Sequence, residues 1–343
     1  MKLVSYIENN TEQLGIFNNG KIYNLSKAAK DFGKRPLPNN MLEFLQAGEI
    51  AMDVAKELDR EVKKNSPKTT PSTSTEKNLI APVPHPTSCR DGYAFRQHVA
   101  AARRNRKVEM ITEFDEYPIF YFTNHNAIQG SGIIECMPDH FQKLDFELEA
   151  AVVIGKKGIN IRAEDADQYI AGYMIMNDMS ARVLQMEEMK LNLVPAKGKD
   201  FSTVIGPWLV TPDELESYKI SAKENHTGNR YNLRMRCWVN GVQVSEGNMG
   251  DMDWTFAEII ERCAYGAYIL PGDVIGSGTV GTGCFLELNG TGKLNDPNYK
   301  EQWLKDGDIV EMEIDGLGKL TNTIKKIDTD FSILNLKKSA VNQ

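Results

Sequence analysis

The chain has 343 residues, of which 41% are hydrophobic and 25% charged, and its formal net charge is −7. This composition is typical of a globular protein with a sizeable core, and the negative charge argues against nucleic acid or an anionic membrane as the main partner. No apolar run is long enough to span a membrane, and the N-terminal residues lack the apolar segment of a signal peptide, so we expect a cytoplasmic protein.

Residues 1–65 are predicted to form a small α+β domain. Short strands in KLVSYI, LGIF and KIYNL include a hairpin at Asn18-Asn19-Gly20, because Asn-Gly supplies the positive φ of a tight turn. Helices are predicted over 25–32 and 41–64 from the spacing of apolar residues. The stretch NSPKTTPSTSTEKN follows at 65–78 and has no hydrophobic side chain. We therefore expect an exposed linker over residues 66–78.

Residues 79–343 are predicted to form a second, mainly β domain. Short apolar runs are cut by glycine-containing turns, most clearly in RMRCWVNGVQVSEG, DIVEMEIDGLGKL and GDVIGSGTVGTGCFLELNG. Helices are predicted near 91–106, 163–170, 180–190 and 253–265, which indicates a β-rich α+β fold rather than alternating βαβ units. The run GSGTVG at 276–281 satisfies a dinucleotide-binding pattern. We discount it, because the sequence after it predicts a strand and a turn rather than the required helix.

The stretch RDGYAFRQH places Asp91 and His98 seven residues apart. On a helix this spacing is close to two turns, so both side chains would share one face about 10 Å apart along the axis. That separation suits two groups that grip opposite ends of one small molecule. The alternative is that Asp91 caps a helix and His98 is a solvated residue on it.

The stretch LDFELEAAVVIG at 144–155 carries a second set of acidic residues. As a strand it would place Asp145, Glu147 and Glu149 on one face and then continue into the core. A carboxylate that enters the core must be protonated or find a cation, and no basic residue is adjacent in sequence. The alternative is a solvent-facing edge row, or Lys and Arg partners from other strands.

A third stretch, YIAGYMIMNDMSARVLQMEE, predicts an apolar strand that ends at Asp178. SARVLQMEE then predicts a helix capped by Asp178 or Ser180, and Arg182 and Gln185 would share one face of that helix. Catalytic groups often collect at such points. A simple capping role for Asp178 is an equal alternative.

Four of these carboxylates suggest a metal site if the fold brings them together. They form an all-oxygen set that suits Mg²⁺, Ca²⁺ or Mn²⁺ rather than Zn²⁺, and they are Asp91, Glu147, Glu149 and Asp178. The five cysteines, 89, 136, 237, 263 and 284, are odd in number and never in C-x-x-C spacing. This pattern excludes a disulfide framework or a cysteine cage for zinc and fits reduced thiols.

Five blocks of the chain, in order, resemble the fumarylacetoacetate hydrolase family: DGYAFRQH, LDFELE, NDMSARVLQ, GKDFSTVIGPW and GDVIGSGT. The resemblance covers about residues 78–326, and the N-terminal part is similar to the small leading domain of bacterial members. It implies a fumarylacetoacetase-like mixed β-sandwich roll preceded by a small α+β domain, and a homodimer. The spacing of Asp91 and His98 resembles that found in the fumarylacetoacetase-like branch of the family, whereas many other members lack this pair.

The resemblance also implies the site. Its metal positions match Asp91, Glu147, Glu149 and Asp178, with Lys199 and Thr203 at the same centre, and the implied cofactor is Mg²⁺ or Ca²⁺, with Mn²⁺ as an alternative.

By the same resemblance, His98 matches the catalytic base and Glu287 its acidic partner. The remaining positions match groups that hold the substrate or its developing oxyanion, namely Arg182, Gln185, Lys199, Tyr93 and Thr279.

Three departures from the eukaryotic enzymes leave the substrate less determined than the metal and the base. Gly92 stands where those enzymes carry an aromatic residue, and Met189 stands where they carry a tyrosine that touches substrate. The loop between Thr279 and Glu287 is also shorter than theirs.

The implied activity is metal-dependent hydrolysis of a carbon–carbon bond in a 1,3-diketo acid, with fumarylacetoacetate from tyrosine and phenylalanine catabolism as the expected substrate. His98 would take a proton from water, while the metal and the cations of Lys199 and Arg182 stabilise developing negative charge. The alternatives are an acylpyruvate hydrolase, or a 2-keto acid decarboxylase or isomerase that needs no activated water. A non-catalytic binding protein would predict a gap in this set of groups, and the sequence has none.

Overall fold

The computed structural model describes residues 1–64 and 68–338. Its strands are β1 (Lys2–Glu8), β2 (Thr11–Asn18), β3 (Lys21–Asn24), β4 (Cys89–Gly92), β5 (Phe120–Thr123), β6 (Ile128–Gln129), β7 (Gly132–Cys136), β8 (Leu144–Asp145), β9 (Leu148–Ile154), β10 (Ile170–Asp178), β11 (Ser180–Ala181), β12 (Thr203–Val210), β13 (Lys219–Ile220), β14 (Arg230–Tyr231), β15 (Arg234–Val239), β16 (Val242–Asn248), β17 (Val274–Gly276), β18 (Ile309–Ile314) and β19 (Gly318–Lys326). Its α-helices are α1 (Leu25–Asp31), α2 (Met41–Gln46), α3 (Gly48–Lys63), α4 (Arg96–Asn105), α5 (Ala163–Ala166), α6 (Arg182–Met189), α7 (Phe256–Ala264) and α8 (Phe285–Asn295). Within these described ranges, no helix is long and apolar enough to cross a membrane.

Two mixed sheets form the body of the molecule. The larger has the strand order β3-β2-β1-β12-β10-β9-β17-β4-β5, with β6 beside β12, and the smaller has the order β16-β15-β18-β19-β7. One hydrophobic cluster joins them, since Val152 and Ile175 of the larger sheet and Met312 and Leu320 of the smaller sheet all belong to it. This β-rich α+β architecture agrees with the predicted fold class.

The asparagine–glycine turns are where the sequence predicts them. Asn19 and Gly20 have φ of 48° and 73° between β2 and β3, and Asn240 and Gly241 have φ of 51° and 77° between β15 and β16. Positive φ at both central residues matches the right-handed twist of the paired strands. Both hairpins are therefore specified locally by the Asn-Gly dipeptide.

The N-terminal part shares the larger sheet with the rest of the chain. β1 pairs with β12 in the register Leu3 with Leu209, and one cluster contains both these side chains and those of Leu58 and Met174. The predicted helix 41–64 is two helices, because the chain turns at Gly48 with φ 73°, a conformation that favours glycine. The domain boundary at residue 65 stays a prediction.

Two residues of the predicted linker, 66 and 67, lie outside the described residues, as does residue 65 before them. Beyond these residues, the expectation of an exposed segment is wrong at two positions. Thr69 is buried, and the backbone N–H of Ser72 donates to the carbonyl of Ile22 at 2.7 Å. Polar residues can pack in this way when another element supplies hydrogen-bond partners.

Two local predictions, one at Asp91 and one at Phe285, are wrong. Asp91 and His98 do not share a helix, because Asp91 belongs to β4, which pairs with β17, and α4 begins only at Arg96. The segment that starts at Phe285 is helix α8, not a strand, and Cys284 stands at its N-cap. A helix and not a strand therefore follows the GSGTVG run, so the predicted strand is no argument against a dinucleotide site there.

Candidate active site

Neighbouring strands of the larger sheet bring the predicted carboxylates together. Asp91 on β4 pairs with Gly276 on β17, and Glu149 on β9 pairs with Met176 near the end of β10. Asp178 is the last residue of β10. Carboxylate oxygens of three of the four predicted ligands lie within 4.8 Å of one another, and all three side chains are buried: Asp91, Glu147 and Asp178.

Glu149, the fourth predicted ligand, lies beside Asp91 at the space left by the absent side chain of Gly276. Its Oε1 lies 3.4 Å from the Thr279 hydroxyl, whereas its buried Oε2 has no hydrogen-bond partner. A Cβ at position 276 would lie 2.5 Å from Oδ1 of Asp91 and 3.0 Å from Oε2 of Glu149. Only glycine leaves room for both carboxylates here, so Gly276 is a site residue that the ligand set alone did not indicate.

Burial of several carboxylates disfavours their ionised forms. Burial, with a contribution from the charge of Asp178, raises the pKa of Asp91 to about 7. Burial also raises the pKa of Asp178, and together with the charge of Asp91 it raises the pKa of Glu149 well above the usual range. A cation among these oxygens would remove the penalty of burying them charged.

Glu147 differs because two buried cations contact it. Burial alone would raise its pKa, but Lys199 and then Arg182 hold that pKa at about 2. The Lys199 ammonium donates to Oε2 of Glu147 and, at 2.8 Å, to Oδ2 of Asp178, while Nη2 of Arg182 lies 2.8 Å from Oε1 of Glu147. Lys and Arg partners from other parts of the chain, the alternative considered for the acidic stretch, are therefore present. Lys199 lies among the predicted metal ligands.

The acidic stretch is not a one-sided strand row. β8 ends at Asp145 and β9 begins at Leu148, so the alternation is interrupted, and every residue from 144 to 154 is buried. Asp145 accepts from Nε of Arg182 at 2.9 Å and from the N–H groups of Phe285 and Leu286 at the start of α8. It fixes α6 and α8 relative to each other, a role that the sequence did not indicate.

The predicted caps of the 180–190 helix are also wrong. Helix α6 begins at Arg182 after Ala181, without a side-chain cap, because Asp178 and Ser180 lie on β10 and β11. Arg182 and Gln185 do share a helix face, since Nη1 of Arg182 donates to the Gln185 side-chain oxygen at 3.0 Å. The Asp178 carboxylate does not cap the helix and instead accepts from the hydroxyl of Tyr121 at 2.5 Å, a contact that sequence reasoning missed.

His98 and Glu287 form a pair beside the carboxylates. Nδ1 of His98, on α4, lies 2.7 Å from Oε2 of Glu287, on α8, and both side chains are buried. The N–H of Thr282 donates to Oε1 of Glu287 at 2.9 Å and fixes the carboxylate. A ring nitrogen of His98 lies within 4.8 Å of a carboxylate oxygen of Glu147. The pair therefore borders the cluster, although Asp91 and His98 do not share a helix.

The remaining predicted residues lie around this centre. The Tyr93 ring meets the His98 ring edge-on at 6.0 Å between centroids, and Thr203 pairs with Asp178 across β12 and β10. Gly278 lies in the same GSGTVG run as Gly276 and also contacts the cluster, because its N–H donates to Oδ1 of Asp91 at 3.1 Å. In this chain the run thus shapes the carboxylate cluster.

The donor set fits a hard divalent cation. Its atoms are carboxylate oxygens, and two of them, Oε2 of Glu149 and Oδ1 of Asp178, are buried without a hydrogen-bond partner. Such cations prefer oxygen ligands, and a buried unpaired carboxylate oxygen is costly without a partner. The space kept open by Gly276 adjoins Glu149 and Asp91.

Residues 87–325 match the family model described as fumarylacetoacetate (FAA) hydrolase C-terminal. The chain belongs to the fumarylacetoacetate hydrolase family. This confirms the resemblance seen in the sequence and makes the chain an enzyme of a family that includes hydrolases, isomerases and tautomerases.

Two named relatives are both oxaloacetate tautomerases. The oxaloacetate tautomerase YisK of Bacillus subtilis (strain 168) is 30% identical over 318 residues, which cover 90% of this chain and 94% of that protein. The human mitochondrial oxaloacetate tautomerase FAHD2A is 31% identical over 290 residues, covering 84% and 80% of the two chains.

The fold is also found in solved structures. Maleylpyruvate hydrolase from Sphingobium sp. SYK-6, solved in complex with manganese (II) ion and pyruvate, superposes with a TM-score of 0.65 at 17% identity and covers 95% of this chain and 99% of its own. This likeness confirms the expected fold, and members of the family bind divalent cations.

Proposed function

We propose that this enzyme hydrolyses a carbon–carbon bond in a 1,3-diketo acid with the help of a divalent cation, and that fumarylacetoacetate is its substrate. The observation that carries the proposal is the 2.7 Å contact between His98 and Glu287 at the border of the buried carboxylates. A histidine oriented by a carboxylate is a suitable general base for activating water.

The cation would be held by the four predicted carboxylates, Asp91, Glu147, Glu149 and Asp178. Mg²⁺ or Ca²⁺ suits the oxygen donors best, with Mn²⁺ as an alternative. When bound, the cation supplies Lewis-acid stabilisation of the diketone and of the enolate that leaves.

His98 would move the protons of the reaction. With Nδ1–H donated to Glu287, the lone pair on Nε2 takes a proton from water as the water oxygen bonds to one carbonyl carbon. The bond from that carbon to the central carbon of the diketone then breaks, and its electron pair passes to the departing enolate. The proton on His98 returns to the central carbon, which yields a carboxylic acid and a ketone.

Arg182, Gln185 and Lys199 would position the reacting groups. Arg182 is fixed by Asp145 and holds Gln185, so the Gln185 amide is presented in one orientation. Lys199 places a buried positive charge between Glu147 and Asp178, close to where oxyanion charge develops. Substrate contacts are proposed for Tyr93, beside the His98 ring, and Thr279, beside Glu149.

A second candidate is oxaloacetate tautomerisation, which the named relatives at 30% and 31% identity favour. Tautomerisation moves a proton between carbon and oxygen and consumes no water. The same histidine could serve it.

Initial rates on three substrates separate the two candidates. Purified protein is supplied with Mg²⁺, Ca²⁺ or Mn²⁺ and given fumarylacetoacetate, an acylpyruvate or oxaloacetate. We expect loss of diketone absorbance, fastest with fumarylacetoacetate, and dependence on the added cation. Acceleration of oxaloacetate keto–enol exchange without diketone cleavage would contradict the proposal and favour the tautomerase.

A further inference from the structure

A second group of metal-ligating side chains borders the carboxylate cluster. A ring nitrogen of His98, a carboxylate oxygen of Glu147 and the sulfur of Cys284 all lie within 4.8 Å of one another, and all three side chains are buried. The proposed hydrolysis uses His98 and Glu147 but gives Cys284 no part. Cys284 is far from both His98 and Glu147 in the sequence, so this grouping arises only from the fold.

We infer that His98, Glu147 and Cys284 form a second cation site that takes Zn²⁺ or Cd²⁺. It shares Glu147 with the all-oxygen centre but differs from that centre in its nitrogen and sulfur ligands. Nitrogen, sulfur and carboxylate oxygen are the ligands of three-residue zinc sites, in which water fills the fourth position. Mg²⁺ and Ca²⁺ prefer oxygen ligands, so the two sites select different ions.

The surroundings of His98 are those of a metal-ligating histidine. Its Nδ1 contacts Glu287 at 2.7 Å, and when Nδ1 carries the proton of the neutral ring, Nε2 has a free lone pair. A carboxylate bonded to the distal nitrogen is the usual support of a zinc-bound imidazole, because it fixes the ring and raises its basicity. Glu287 is itself held by the N–H of Thr282 at 2.9 Å.

Cys284 is also oriented toward this role. It stands at the N-cap of α8, and its sulfur accepts from the N–H of Glu287 at 3.5 Å. Burial raises the pKa of this thiol well above its usual range, so the bound cation itself would displace the proton, as cations do at thiol ligands. Tetrahedral zinc ligands are about 3.5 Å apart, so shifts of about 1 Å would close the three atoms around an ion.

Occupation of this site would inhibit the enzyme. The ion would take the Nε2 lone pair that the base needs, a consequence that rests on the proposed function, whereas the binding itself does not. Zn²⁺ can also compete for the carboxylate centre, because it generally binds oxygen and nitrogen sites more tightly than Mn²⁺ or Fe²⁺ does. A test must therefore follow the sulfur directly.

The test titrates Cd²⁺ into the full chain in excess Mg²⁺ and follows the ultraviolet charge-transfer band of a cadmium–thiolate bond. We compare the wild type with Cys284→Ala and with the matched control Cys136→Ala, which removes another buried thiol. The wild type and Cys136→Ala should bind one equivalent of Cd²⁺ with the band. Cys284→Ala should lack the band and bind Cd²⁺ at least about tenfold more weakly.

His98→Ala provides a second reading that does not depend on folding of the Cys284 variant. It retains the thiol, and we expect at least about tenfold weaker Cd²⁺ binding together with unchanged Mg²⁺ affinity. An equally strong band in Cys284→Ala, or unchanged Cd²⁺ affinity in His98→Ala, would overturn the site. In activity assays with Mg²⁺, Cys284→Ala should retain a larger fraction of its own uninhibited rate than the wild type does at Zn²⁺ concentrations that inhibit the wild type. Equal inhibition of the wild type and Cys284→Ala would place the inhibitory Zn²⁺ at the carboxylates and overturn inhibition through Cys284. That result would leave the proposed hydrolysis unaffected.

Discussion

Nδ1 of His98 and Oε2 of Glu287 lie 2.7 Å apart, although the two residues are separated by 189 positions in the chain. The side-chain amide of Asn105 donates to the Glu287 carbonyl at 3.2 Å and ties the end of α4 to α8 beside this contact. The histidine therefore has a fixed ring orientation before any substrate arrives.

Replacing this histidine should separate chemistry from metal binding. We expect His98→Ala to retain its affinity for Mg²⁺ while kcat falls about 10²–10⁴-fold, the usual loss for a general base. Calorimetry and steady-state kinetics measure the two quantities. The matched control is His226→Ala, which breaks another histidine–glutamate pair, with Glu258 at 3.1 Å, and should leave kcat unchanged.

Glu287→Gln should give a milder loss of kcat than His98→Ala. An orienting carboxylate stabilises the imidazolium without taking the proton itself. If either variant at His98 or Glu287 keeps full activity on a diketone, the general-base assignment is wrong.

The cation-free protein should lose stability as pH rises toward neutrality. Burial raises the pKa of Asp91 from 3.8 to about 7, so the folded state binds more protons than the unfolded state between these values. The stability that this group contributes is fully present below about pH 4 and is lost as pH rises through about 7. Glu149 and Asp178 have raised pKa values and act in the same direction. His140, whose pKa burial lowers from 6.5 to about 4, acts in the opposite direction and offsets part of this loss.

Thermal melts with a chelator test this pH dependence. We expect Tm to fall from about pH 4 to about pH 7 and Mg²⁺ to raise Tm most at the upper end, where its ligands are ionised. Asp91→Asn should flatten the decline. A Tm that rises across this range in the chelated protein, or Mg²⁺ stabilisation that is strongest at low pH, would contradict the site.

Gly276→Ala should impair the metal centre without unfolding the protein. The added Cβ would lie 2.5 Å from Oδ1 of Asp91 and 3.0 Å from Oε2 of Glu149, so both carboxylates must move. We expect at least about tenfold weaker Mg²⁺ affinity by calorimetry, with far-ultraviolet circular dichroism unchanged. Unchanged affinity would show that the space at this glycine is not part of the cation site.

Limited proteolysis should cut first between Asn65 and Asn78, where the sequence offers no apolar side chain to bury. Because β1 pairs with β12 and the two parts share a hydrophobic cluster, the fragments should stay together on size exclusion and separate only in denaturant. A first cut within 79–330 would refute the predicted boundary. Separation of the fragments under native conditions would refute the shared sheet.

Local sequence patterns predicted those features that depend on neighbours in the chain. The hairpins at Asn19-Gly20 and Asn240-Gly241 follow from the positive φ that these dipeptides accept. The strand that ends at Asp178 follows from its apolar run. Each of these signals lies within a few residues of the structure it determines.

Features that depend on distant partners could not be predicted in this way. The stretch TGCFLELNG predicts a strand and a turn, whereas the structure has helix α8 there. The start of that helix is fixed by N–H bonds to Asp145, 140 and 141 residues away. The contacts of Lys199 with Glu147 and of Tyr121 with Asp178 join residues 52 and 57 positions apart. The resemblance to a family supplied Lys199, Glu147 and Asp178, whereas neither the resemblance nor the residues alone indicated Tyr121.

The most direct test of the central proposal is product analysis of fumarylacetoacetate turnover in heavy-oxygen water with Mg²⁺. We expect equal amounts of fumarate and acetoacetate, with a single solvent oxygen in the new carboxylate of fumarate, because His98 delivers water to the carbonyl carbon. Chelation of the cation should stop the reaction. Absence of both products, while oxaloacetate is tautomerised rapidly under the same conditions, would contradict the proposed hydrolysis.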